Sequence, residues 1–314
     1  MLASNLLYDP EPSGSDDALL HTSFPGITLL RRGKNMDIYD LGDKLLMVST
    51  DRLSVAGSIL AQGVKGKGRI VNQLSCHWFR KLRTVFPNHL ISANTRHYPA
   101  SIRSHSEILA GRSMLVCKAL PLPVQCVVRG YLAGAGWREY RQTGEICGIR
   151  LPRGLTESQR LPFPIFTPKM KGPPRGMGEN LPFASIRQLF GTSLAEELRE
   201  ASLRLYFTAW KCARERGVLI ADTKFEFGIK NGNLMLIDEC LTPDTSRFWK
   251  LDSYQHGGPM PAMDKQILID YLDDSGSQAQ LPERLLYGIG EKYYDAYKRI
   301  VVRRAYSKLA IFNS

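Results

Sequence analysis

A mixed α and β globular chain is predicted by three observations: strand-length apolar stretches bounded by glycine turns, long runs with apolar residues at helical spacing, and one strand whose charged residues share a face. Residues 28–32, a tight glycine turn over residues 33–37, residues 38–41 and residues 44–50 read as strand, turn, strand and third strand. A helix opens near Gly66, with Ile70, Leu74, Trp78 and Leu82 at helical spacing, so Trp78 is expected in the core. Residues 113–123 and 124–129 look like two buried strands around a proline-bent connection. Ser193-Leu-Ala-Glu196 has the form of a capping box for an amphipathic helix running to about Arg216, and a strand follows at Val218. Pro282 opens a last helix past Tyr293 and Tyr297 to about Tyr306.

Between these elements, residues 1–23 are polar and acidic and are expected to form an arm with little fixed structure of its own. Proline and glycine dominate residues 161–183, which read as a mobile loop over a site. Residues 275–280 read as a solvated linker.

With 314 residues, 43% hydrophobic and 23% charged, the chain has the composition of a globular protein and not of a disordered one. Its six cysteines form no C-x-x-C pair and read as buried thiols in a reducing compartment. No basic leader with a long apolar run begins the chain, and no apolar stretch approaches the roughly 20 residues that span a bilayer, so the cytoplasm is the expected location. A net charge of +12 invites a nucleic-acid reading, but the basic residues are dispersed; ATP and a sugar phosphate would account for a positive field equally well.

Most of the chemistry lies in residues 222–249. Asp222, Lys224 and Glu226 alternate with Thr223, Phe225 and Phe227, so on a strand the three charged side chains share one face. Asn231-Gly232 signals a hairpin, and the returning apolar run ends in Asp238-Glu239. A two-residue loop would pair Glu226 with Ile237, whereas a three-residue loop from Lys230 to Gly232 would pair Lys224 with Asp238. The odd loop is expected, because it places Asp238 beside Lys224 and Glu226: a carboxylate pair suited to Mg²⁺ and a lysine suited to phosphate. Asp244, Ser246 and Arg247 follow in a turn that adds a guanidinium fork and a hydroxyl.

These two blocks, Ala221-Asp-Thr-Lys-Phe-Glu-Phe-Gly228 and Leu236-Ile-Asp-Glu-Cys-Leu-Thr-Pro-Asp-Thr-Ser-Arg-Phe-Trp249, closely resemble the signatures of the SAICAR synthase family. The likeness extends to Gly33-Lys34 with Asp37-Ile-Tyr39, to Thr50-Asp-Arg-Leu-Ser54, to residues 66–75 and to residues 129–140. It covers the chain from about Leu29 to about Tyr306 and implies an α+β fold of two lobes with ATP between them. Residues 24–122 would form the N-terminal lobe with its glycine hairpin, and residues 123–314 the C-terminal lobe with the metal and substrate site. The implied activity is ATP- and Mg²⁺-dependent joining of a carboxylate to an amine through an acyl phosphate.

On this resemblance Gly33, Lys34 and Lys118 contact the nucleotide, Glu226 and Asp238 hold Mg²⁺, and Lys224 with Asp222 serves the chemistry. Arg129, Lys171, Asp244, Ser246 and Arg247 meet the substrates, which are small carboxylates and amines, one of them phosphorylated. A homo-oligomer is compatible with this reading. The sequence departs from the family at Met36, at Val55-Ala56-Gly57, at Ala135 in place of a phosphate-binding serine, and at Met177. Those changes imply a weaker grip on the family's ribotide and keep open a ligase redirected to another carboxylate and amine in specialised metabolism. A non-catalytic nucleotide- or nucleic-acid-binding protein is a third reading.

Overall fold

The computed structural model describes residues 18–55, 58–172, 180–275 and 280–302. Its first part is an antiparallel sheet. Strands β1 (Thr28–Arg32), β2 (Met36–Asp40) and β3 (Lys44–Ser49) follow one another in the chain. The pair β4 (Arg52–Val55) and β5 (Ser58–Gly63) then leads to helix α1 (Lys67–Leu82). Strand β6 (Leu90–Ser92), the short helices α2 (Ala100–Arg103) and α3 (Ser106–Leu109), and β7 (Ser113–Cys117) complete this part. The strand order is β1-β2-β3-β7-β6. Alternation along β3 feeds two cores: Leu46 and Val48 join Phe24, Tyr39 and Leu109, whereas Met47 faces the cluster that contains α1. Ile70, Leu74, Trp78 and Leu82 are fully buried along one face of α1, as their spacing predicts.

The second part is built on a larger sheet. Strand β8 (Leu120–Tyr131) is followed by α4 (Gly134–Thr143), the small pair β9 (Glu145–Ile146) and β10 (Ile149–Arg150), and strands β11 (Arg160–Phe166) and β12 (Lys169–Met170). Helices α5 (Phe183–Phe190) and α6 (Thr192–Arg214) precede β13 (Val218–Lys230), β14 (Asn233–Ile237) and β15 (Ser246–Lys250). Helices α7 (Gln266–Ser275) and α8 (Glu283–Tyr297) and a π-helical turn at Lys298–Val302 close the described chain. The sheet runs β11-β8-β13-β14, with β12 also paired to β8 and β15 to β13. Phe225 and Phe227 of β13 pack into the core shared with α1 and α6, so one hydrophobic cluster backs both parts. No helix among the described residues is long and apolar enough to cross a membrane.

Several sequence expectations are corrected. Prolines 121 and 123 do not divide two strands: β8 runs through them, and the break falls at Lys118-Ala119. Much of the 161–183 segment is ordered, because β11 and β12 pair with β8; residues 173–179, with Met177, lie outside the described residues. The Ser193-Glu196 capping box does not form. Helix α6 starts two residues earlier, at Thr192 behind Gly191, without a side-chain cap, and Glu196 pairs with Arg199. Residues 19–22 are tied to the sheet and are not part of a loose arm; residues 1–17 lie outside the described residues, as do Ala56 and Gly57. The final helix ends at Tyr297 and continues as the π turn, and Tyr306 lies beyond the described residues.

Candidate active site

Strand β13 carries the site because its two faces differ. Thr223, Phe225 and Phe227 are buried, while Asp222, Lys224 and Glu226 are half-buried on the opposite face. In an antiparallel sheet, residues directly opposite one another project to the same side. Asp222 pairs with Arg129 of β8 on one flank and with Arg247 of β15 on the other. The result is a row across three strands, with guanidinium nitrogens 3.6 Å (Arg129) and 3.7 Å (Arg247) from Asp222 Oδ2. Arg129 Nε also donates to Thr167 Oγ1 at 3.1 Å. Four residues along, Gln125 donates to Glu226 Oε1 at 3.2 Å and Lys171 Nζ lies 2.7 Å from Glu226 Oε2. Burial works against the charge of Glu226, but Lys171, Lys224 and Gln125 outweigh it and hold the carboxyl below its usual range.

The hairpin register is the even one. Asn231 (φ 51°) and Gly232 (φ 77°) make a two-residue turn with both residues left-handed, and Glu226 therefore pairs with Ile237, not Lys224 with Asp238. Asp238 nevertheless comes close to Glu226 and Lys224, by another route: at φ 66° it leaves the strand at its end. The segment before β6 grips this corner, since Leu236 N donates to Pro87 O, His89 N donates to Leu236 O, and the His89 ring donates to the Asp238 backbone. Removal from water, then the charges of Glu226 and Glu239, push the Asp238 carboxyl up to about 8. Among the described residues no group of three or more His, Cys, Asp or Glu side chains could hold a metal ion.

At the other end of the row, a cavity of about 170 Å³ is lined by Asp222, Asp244, Ser246, Arg247, Asp264 and Lys265, among others. Asp244 and Ser246 line it, but their own oxygens are engaged inward. Lys67 Nζ lies 2.6 Å from Asp244 Oδ2, Tyr293 Oη donates to Asp244 Oδ1 at 2.9 Å, and Ser246 Oγ lies 2.7 Å from Thr223 Oγ1. Burial opposes ionisation of Asp244, but Lys67 and Lys265 hold its carboxyl down to about 2. Burial raises Asp264 to about 6 against the pull of Arg247. Helix α4 begins at the same place. Gly134, at φ 53°, has no room for a Cβ beside the Arg247 guanidinium, and Gly136 packs on Arg129 and Ile146 less tightly.

The glycine turn between β1 and β2 approaches from the first sheet. Asn35 Nδ2 donates to Glu239 Oε1 at 2.9 Å, which links the turn to the corner containing Asp238. Lys34 is exposed at its tip. Lys118, in the connection between the two sheets, is held by Asp40 at 2.7 Å. Asp222, Lys224, Glu226, Arg129, Lys171 and Arg247 share one face of the second sheet, with Asp238 at the strand end beside it; Gly33 and Lys34 are linked to that corner through Asn35 and Glu239. Sequence reasoning passed over Asp264, Lys265 and Gln266. Their only local signal is an ordinary helix start, in which Asp264 Oδ1 accepts from Gln266 N.

A carboxylate corner, a lysine and paired arginines on one face of an antiparallel sheet, with a glycine hairpin linked to that corner through Asn35, form a charged site of the kind that enzymes acting on anionic substrates present. The SAICAR synthetase family matches residues 29–284, and the chain belongs to that family. The phosphoribosylaminoimidazole-succinocarboxamide synthase of Trichlorobacter lovleyi is 51% identical over 280 residues, 88% of this chain and 95% of the relative. That of Geotalea uraniireducens is 47% identical over 287 residues, 90% and 97% of the two chains. Among solved structures, the Saccharomyces cerevisiae SAICAR synthase complexed with SAICAR aligns with a TM-score of 0.82 at 36% identity, covering 91% of this chain and 99% of that one.

Proposed function

We propose that this chain is an ADP-forming ligase that joins carboxyaminoimidazole ribotide to aspartate and so makes SAICAR for purine synthesis. The observation that carries this reading is the single face of β13 that presents Asp222, Lys224 and Glu226, with Asp222 between Arg129 and Arg247, in a chain 51% identical to a synthase of that name. The departures within the described residues leave the charged face in place: Met36 is buried in the core, and Ala135 is an exposed residue in the first turn of α4, between Gly134, which packs on Arg247, and Gly136, which packs on Arg129.

A carboxylate resists amine attack because oxide is a poor leaving group; taking the γ-phosphoryl group of ATP makes an acyl phosphate, and the amine of aspartate attacks its acyl carbon, forming the amide and expelling inorganic phosphate as the amine gives up a proton. Arg129 and Arg247 would hold the ribotide phosphate, with Asp222 between them orienting the ribotide. Lys224 would neutralise charge on the transferring phosphoryl group or the reacting carboxylate, and Lys171 would move from Glu226 toward the acidic substrate. Asp244 and Ser246 would shape the cavity wall. Gly33 and Lys34 would cover the nucleotide phosphates, with Lys118 at the nucleotide's edge.

Glu226 and Asp238 fit Mg²⁺ on the chemistry of the donor set: two neighbouring carboxylates, one of them pushed up to about 8 by lost water and by the other, ionise together only beside added positive charge. Bound there, the ion would offset phosphate charge, its remaining ligands being phosphate oxygens and water, as is usual for Mg²⁺.

The test supplies ATP, Mg²⁺, aspartate and the ribotide labelled with ¹⁸O in its carboxylate. SAICAR and ADP are expected in equal amounts, with the label in the released phosphate. ADP release without amide, or unlabelled phosphate, would refute the mechanism.

A further inference from the structure

We propose that Arg52 is a positioning residue for the nucleotide, acting from behind the glycine hairpin together with residues 19–22. The hairpin is held in the core by one strand alone: Met36 and Tyr39 of β2 are buried, but every residue of β1 is exposed, and β1 is an edge strand paired only with β2. Thr50 and Glu239 hold the tip at Asn35, and behind Gly33 and Lys34 a buried polar brace holds it. Arg52 is 1% exposed, and its Nη2 donates to Gly33 O at 2.7 Å and to Asp37 Oδ1 at 2.8 Å. Its Nε donates to Lys34 O at 3.4 Å and its Nη1 to Leu20 O. Asp37 is fully buried, and its second oxygen accepts from Thr22 N at 2.9 Å and Thr22 Oγ1 at 2.8 Å. Next to Arg52, Asp51 is bound to Leu19 in both directions: Asp51 N donates to Leu19 O, and Leu19 N to Asp51 Oδ2, each at 2.9 Å.

The direction of these bonds matters. A trans peptide carries its C=O and N–H on opposite sides. With the carbonyls of Gly33 and Lys34 drawn back to one guanidinium, the N–H groups of Lys34 and Asn35 turn to the front. An unbraced glycine tip would have to be ordered when anionic oxygens bind, at the expense of affinity; a braced one already presents its donors. This rests on the proposed contact of the hairpin with the ATP phosphates.

The test measures ATP affinity by calorimetry, KM and kcat for each substrate, and amide exchange over residues 30–36 in Arg52→Lys, Thr22→Val and Lys34→Ala proteins. Lysine keeps the buried charge but cannot reach both carbonyls and Asp37. Arg52→Lys is expected to weaken ATP about tenfold, the scale of a lost charge-assisted hydrogen bond, with faster exchange in the hairpin and unchanged kcat and KM for ribotide and aspartate. Thr22→Val, which removes one bond to Asp37, should act in the same direction by a smaller factor. If Lys34→Ala weakens ATP while both brace variants bind it normally, the brace is refuted and the hairpin contact stands. If none of the three variants weakens ATP, the hairpin contact itself is refuted, and the brace with it; if Lys34→Ala binds normally while the brace variants weaken ATP, the contact runs through the backbone donors, as the brace requires. A parallel rise in all three KM values would mean that Arg52 serves the fold alone.

Discussion

At the residue scale, the site depends on which charges are paired and which are crowded. Asp238 is crowded, and Asp238→Asn keeps its size while removing a ligand for a cation. Activity is expected to fall by more than about 100-fold, since even partners one step removed from a metal commonly matter 10- to 100-fold. Thermal unfolding should stay close to that of the parent, and a variant that turns over normally would exclude Asp238 from the metal site. Ala135 tests the phosphate end. Restoring a hydroxyl in the first turn of α4, beside Arg129 and Arg247, should lower KM for the ribotide by roughly tenfold or more if it bonds a charged phosphate; an unchanged KM would put the phosphate elsewhere. Single residues were the hardest to read from sequence. The charged face of β13 was legible because alternation is a local pattern. Arg52 and Lys67 were not, because their importance lies in partners such as Gly33 and Asp244, far away in the chain.

At the element scale, strands and helices with clear periodicity were legible, α1 most clearly, while joints were not. Prolines 121 and 123 suggested a bend, yet β8 passes through them because strand φ values suit proline where the ladder does not need its N–H. The β13–β14 register turned on one residue of loop length, which the residues Lys230-Asn231-Gly232 leave ambiguous. The observed turn gives a direct test. Gly232 is left-handed with open space around it, so Gly232→Ala should be destabilising by about 1 kcal/mol through backbone strain alone. Denaturant titration should show that loss with ATP affinity unchanged, since the turn is at the far end of the hairpin from Asp238. No loss of stability would argue for a different turn.

At the scale of the whole molecule, the two sheets are joined by a shared hydrophobic cluster and by a buried ionic knot: Lys67 at the start of α1, Asp244, and Tyr293 of α8. Lys67→Met leaves Asp244 in the interior with its nearest cation removed, and unfolding free energy should drop by about 3–5 kcal/mol, read from denaturant curves. A drop under about 1 kcal/mol would mean that Lys265 suffices. Acid should loosen the same assembly. Burial, helped by Arg216, Lys81 and Arg80, pushes His77 down to about 4, and burial takes His89 to about 3. Both stay neutral in the folded chain, whereas the unfolded chain protonates them below about pH 6.5. Their contribution is therefore complete above that pH and is lost as pH falls toward 4 and then 3, with a slope approaching about 1.4 kcal/mol per pH unit for each. Unfolding measured at intervals between neutral pH and about pH 5 should show it, and His77→Leu should flatten the profile.

The left-handed backbone at Asp238 has a consequence for which acid can stand there. Aspartate and asparagine enter that conformation more readily than residues with longer side chains, since their short polar groups can bond locally. Glutamate would keep the charge but strain the chain and overshoot the corner. Of the two single changes, Asp238→Glu is thus the one expected to disturb the fold, while the chemically blunter Asp238→Asn leaves it intact: the backbone, before any metal ion, selects the shorter acid.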